Sequence, residues 1–124
     1  MALTNTPLDP RFTDVVVKDT SVTSTAAASI SGSTLTFHSI HITNANNAIE
    51  YVKFYDAKTA TASNLPDMIL MINANGGSGT LVRTINICDG YTFVTALTMR
   101  CVATGGTGGT GSPGSAVQVI LTLR

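Results

Sequence analysis

The chain is 124 residues long, with seven Lys or Arg, seven Asp or Glu and a formal net charge of zero. That length fits one domain, and charged residues make up only 11% of it, against roughly 25% in ordinary globular domains. Balanced charge without a basic run argues against an electrostatic grip on nucleic acid or anionic membrane, and no apolar run approaches the ~20 residues of a helical membrane span.

Residues 1–11 show no charged leader followed by an apolar stretch, so no secretory signal is expected and synthesis in a cytoplasm is. They hold Pro7 and Pro10 among mostly polar neighbours and read as an extended arm, with a single domain from 12 to 124. Residues 12–18 alternate, Val15 and Val17 opposite Asp14, Val16 and Lys18, which predicts a first strand. Residues 21–33 are rich in Thr, Ser and Ala, with Val22, Ala26, Ala28 and Ile30 on one parity, and read as a weak or edge strand. Residues 34–43 form a strong strand with a fault, since Leu35 and Phe37 share one face while Ile40 and Ile42 fall on the other. A one-residue bulge near His38-Ser39 returns all four to the core side.

An Asn-rich turn at 44–47 leads into Glu50-Tyr51-Val52-Lys53-Phe54-Tyr55-Asp56, the densest aromatic and β-branched stretch. It reads as a central strand with Val52 and Phe54 on one face and Tyr51, Lys53 and Tyr55 on the other. A linker closes on Pro66. Residues 67–74 follow, with Met68, Leu70 and Ile72 on one face and Ile69 and Met71 on the other. Apolar on both sides, that strand is expected either under a covering loop or at a subunit contact.

Glycines at 76, 77 and 79 predict a hairpin turn, and residues 81–87 alternate with Leu81, Ile85 and Ile87 inside. Asp89-Gly90 is expected to turn the chain again into one long strand, with Tyr91, Phe93, Leu97, Met99 and Cys101 inward and Thr92, Ala96, Thr98 and Arg100 outward. Residues 104–115 read as a flexible glycine-rich connector with no side chain able to pack. The last strand carries Val117, Val119, Leu121 and Leu123 to the core. About eight strands, regular turn signals and no helical pattern predict an all-β antiparallel β-sandwich, jelly-roll-like in its connections.

Chemistry-bearing motifs are few. Gly106-Thr107-Gly108-Gly109-Thr110-Gly111 spells GxGxxG, but the dinucleotide motif needs a strand before it and a helix after it, and here a strand follows. His38 and His41 on one strand point to opposite faces unless the bulge intervenes, and no third metal ligand lies nearby in sequence. Asp56 and Asp67 flank the 57–66 linker, where capping of loop ends is a simpler role than calcium binding. Cys88 and Cys101 fall too far apart along the expected strand for a disulfide, and read as two small buried thiols. The residues predict neither an enzyme nor a cofactor or metal site.

Thr43-Asn44, the strand at 51–56, Pro66, Gly90-Tyr91-Thr92-Phe93, Ala103-Thr104-Gly105 and the V-x-V-x-L strand at 117–123 follow one another in a particular order. From about His41 onward this pattern resembles a class of small structural proteins of tailed-bacteriophage virions. The resemblance implies a non-enzymatic role in the virion. The expected form is a head decoration or cement protein that caps contacts between copies of the major capsid protein. The alternative is a tail or fibre adsorption module binding host glycans through the 44–47 and 104–115 loops.

Low charge and the two-faced 67–74 strand predict a homo-oligomer, with a trimer preferred. Leu3, Pro7 and Leu8 on the arm, with Ile69 and Met71, are the candidate interface residues. Neither nucleic acid nor membrane is expected as a partner.

Overall fold

The computed structural model describes residues 3–7, 15–25 and 34–124. Where β-branched and aromatic side chains alternate with polar ones, the backbone is extended, and the described residues contain eight strands and no helix. These are β1 (Leu3–Pro7), β2 (Val15–Val22), β3 (Leu35–Asn44), β4 (Glu50–Asp56), β5 (Met68–Ile72), β6 (Leu81–Phe93), β7 (Leu97–Val102) and β8 (Val117–Leu123). Every pairing is antiparallel. The strands form a five-stranded sheet, β1-β2-β8-β3-β6, and a three-stranded sheet, β5-β4-β7. The fold is the antiparallel all-β sandwich that the alternation predicts.

The core lies between the sheets. Val17, Phe37, Ile40, Ile42, Val119 and Leu121 from the larger sheet meet Val52, Phe54, Leu97, Met99 and Cys101 from the smaller. Phe37 is the bridge, with its ring centroid 5.7 Å from Phe54 across the gap and 5.3 Å from Phe93 beside it. Such ring pairs add roughly 0.5–1.5 kcal/mol beyond their buried area. The β3 pairing registers shift between Phe37 and Ser39, as the parity fault predicts, and Phe37, Ile40 and Ile42 are all fully buried.

Several expected boundaries move. Residues 3–7 are not a free arm but an edge strand, pairing from Leu3↔Asp19 to Pro7↔Val15, with Leu3 packed against the core. The first expected strand is β2 and begins at Val15, while residues 12–14 and 26–33 lie outside the described residues. The glycines after β5 carry the chain from one sheet to the other rather than around a hairpin.

Asp89-Gly90 does not reverse the chain. Phe37 pairs with Tyr91 and Ser39 with Asn86, so the extra residues of β6 bulge out opposite His38. Gly90 is required there, since its φ is +75° and an added Cβ would overlap the Thr36 side chain. The crossing between sheets comes later, at residues 94–96, so the single long strand expected from Tyr91 to Cys101 is instead the end of β6 and the whole of β7.

Candidate functional site

The outer face of the three-stranded sheet departs furthest from an ordinary solvated surface. On β4 the outward residues are Tyr51, Lys53 and Tyr55, yet Lys53 is fully buried and Tyr55 nearly so. The cover over Lys53 is the glycine-rich 104–111 segment. Lys53 Nζ donates to the carbonyls of Gly106, Gly109 and Thr107 at 2.7, 3.0 and 3.3 Å. The segment is braced internally, with Ala103 N–H donating to Gly111 O and Thr104 N–H to Thr110 O, and Thr110 N–H returning to Thr104 Oγ1 at 2.7 Å. Gly109 has no room for a side chain, because an added Cβ would overlap the Thr104 and Gly105 carbonyls. The passive, unpacked connector expected from the sequence is therefore a folded lid held by a lysine.

Directly across from Lys53 on β7 stands Arg100, also buried. Its Nε donates to Ser24 O at 2.7 Å, while its Nη1 and the Tyr55 hydroxyl have no hydrogen-bond partner among the described residues. Burial and the Arg100 charge hold the Lys53 ammonium below the ordinary lysine pKa. Charge-assisted bonds contribute about 1.5–3 kcal/mol each, and three of them roughly offset the several kcal/mol of desolvation that a buried ammonium costs. Beside this lid, Ala62, Ser63, Asn64 and Leu65 of the β4–β5 loop face Thr107 and Gly108 across a cleft of about 220 Å³.

Asp56 and Asp67 cap loop ends. The Asp56 carboxylate accepts the N–H groups of Val94, Thr95 and Ala96 at 3.0, 2.6 and 3.1 Å, and its own N–H donates to Asp67 Oδ2 at 2.7 Å. These backbone donors, Val94 first, hold the Asp56 carboxyl below the usual carboxylate range. At the other end, buried Asn44 donates to Ala48 O and Asn73 O, and Asn46 exchanges bonds with the Ser115 backbone. Asn44 and Asn46 are thus joints between loops.

One buried carboxyl, Glu50, was not singled out from the sequence. Glu50 shares the parity of Val52, points inward at 1% exposure, and keeps Oε2 without a partner. Burial raises its carboxyl pKa. Nearby Cys101 is pushed up to about 12 by burial and the Glu50 charge. Both cysteines are free, and Cys88, expected to be buried, is exposed, in the stretch of β6 that bulges between Asn86 and Tyr91. The β3 bulge places His38 beside Thr36 and Gly90, on the same outer face as His41, whose Nδ1 lies 2.9 Å from Thr84 Oγ1. Among the described residues no three His, Cys, Asp or Glu side chains gather as a metal site.

Of the candidate interface residues, Leu3 is half-buried, Ile69 is half-buried and Met71 is exposed; Pro7 ends β1, and Leu8 lies outside the described residues. The most exposed large apolar side chains are Leu65 at 76% and Val94 at 66%. Both flank the Asp56–Asp67 staple, and Val94 is bonded to it directly. No described helix is long and apolar enough to cross a membrane. No protein-family model, curated protein or solved structure matches the chain.

Proposed function

We propose that this chain is a non-catalytic structural protein of a tailed-phage virion, a head decoration or cement protein. The observation that carries the reading is the pairing of an unusually uncharged chain with Leu65 and Val94 exposed on the two loops that Asp67 and Asp56 tie down. Apolar side chains held on stapled loops suit a contact made by burial, at about 25 cal/mol per Å² of apolar surface. A contact of this kind, repeated over a shell, resists rupture without any chemistry. The order of motifs from His41 onward supports the same reading. The glycan-adsorption alternative loses much of its surface, because Asn44 and Asn46 are buried and bonded within the fold.

The experiment is a binding assay on undecorated capsids with wild type, Leu65→Glu and Val94→Glu. Saturable binding by wild type, weakened at least tenfold by either charge while the melting temperature stays put, is the expected result. Wild-type protein that ignores capsids but binds host cells would replace this reading with the adsorption module.

A further inference from the structure

The carbonyls of Gly106 and Thr107 point down to Lys53. No described peptide bond is cis, so each following N–H points the opposite way from its carbonyl. The N–H groups of Thr107 and Gly108 therefore face away from the ammonium, on the solvent side of the lid, and neither is donated to any described group. Gly109 N–H closes a turn on Gly106 O at 3.3 Å, which makes Thr107 and Gly108 its two central residues.

These two residues form one wall of the cleft. The ammonium behind them polarises both peptide groups, which strengthens the outward N–H donors and adds a positive charge at their back. Successive outward amides make the kind of concavity that attracts anions. Across the cleft, Asn64 Oδ1 accepts from Thr61, so its amide NH₂ remains as a third donor, while Ala62 and Leu65 supply apolar wall. No acidic side chain lines the cleft.

We propose that this cleft binds a carboxylate group, with its two oxygens on the Thr107 and Gly108 amides and its carbon chain against Ala62 and Leu65. One positive charge and two successive donors match a planar monoanion better than a phosphate dianion. The carboxylate comes either from a free small organic acid or from an acidic side chain of a partner polypeptide. The inference does not depend on the virion reading.

The test uses the ¹⁵N-labelled full chain titrated with sodium propionate, with propionamide and sodium chloride as neutral and ionic controls, and with a capped tripeptide bearing a central glutamate. Saturable shifts of the Thr107 and Gly108 amides are expected with propionate and absent with both controls. Thr107→Pro removes one donor but puts proline at the turn position it favours, and propionate affinity should fall at least tenfold. Tighter binding of the tripeptide assigns the site to a partner's acidic side chain, and tighter binding of propionate to a free acid. Wild-type protein without saturable shifts for either acid, or with equal shifts for propionamide, would overturn the proposal, as would unchanged affinity in Thr107→Pro.

Discussion

Glu50 and Asp56 end the same strand and respond to pH in opposite ways. Glu50 is buried with one oxygen unpaired and its pKa raised by burial. The fold prefers its protonated form, so its stabilising effect is complete below the unfolded carboxyl pKa of about 4.3 and is lost as pH rises through the higher folded value. Glu50→Gln removes the charge and keeps the shape. It should stabilise the protein at pH 8 on the order of 1 kcal/mol, a few degrees in melting temperature, and the gain should vanish towards pH 4. Melting curves across that range check it; a gain that persists unchanged at pH 4 would mean that the charge is not the cause. Asp56 has a lowered pKa, so its contribution is present above the unfolded value and fades as pH falls through the lower folded one. Asp56→Ala should lower the melting temperature at pH 7 and speed deuterium exchange at the amides of Val94, Thr95 and Ala96. Protection at those three amides equal to wild type would show that the staple is dispensable.

The 104–111 lid shows at the level of elements why a glycine-rich run can be ordered. Replacing it with a short Gly/Ser turn changes closure entropy by under about 1 kcal/mol, but it strips a buried ammonium of three carbonyls. Because the lid is also the cover, its removal returns the ammonium to water, and the expected loss is about 0.5–1.5 kcal/mol. A narrower version compares Gly109→Ala, which collides with backbone, with Gly108→Ala, which does not. The first should cost about 1–3 kcal/mol and the second under about 0.5 kcal/mol in denaturant unfolding. Equal effects would show that the lid rearranges freely. The same element marks where sequence reading stops. The strands and the β3 bulge were legible because they are local: side-chain parity flips at His38-Ser39 whatever lies elsewhere. The lid was not, because its anchor, Lys53, lies some fifty residues earlier in the chain and looks like any outward lysine on a strand. The crossing at 94–96 was hidden for the same reason, since no turn residue marks it and its signal is the distant Asp56 carboxylate. β1 was missed because an edge strand needs only a partner's free backbone, and residues 3–7 carry no apolar alternation.

At the scale of the whole molecule, the described strands leave few ways to associate through their backbone. On the edge of the smaller sheet the Met71 carbonyl of β5 is held by the Arg83 guanidinium, and on the opposite edge the Cys101 N–H of β7 donates to Thr23 O at 2.8 Å. In the larger sheet, β1 is five residues long and ends at proline, and β6 is interrupted by its bulge. Such devices protect edges against strand addition. Contacts between copies are then expected through side chains, and β5 is the place to look, where Met71 is 42% exposed beside half-buried Ile69. Leu65 and Val94 are exposed on other loops, those tied down by Asp67 and Asp56, so the two sets of residues can be tested apart. Light scattering during size exclusion should give a trimer for wild type at micromolar concentration. Met71→Glu should convert it to monomer with an unchanged melting temperature, because the side chain contributes little to the core. Leu65→Glu should remain a trimer while losing capsid binding. A wild-type monomer that nevertheless binds capsids would remove self-association from the mechanism, and loss of the trimer in Leu65→Glu would merge the two surfaces into one.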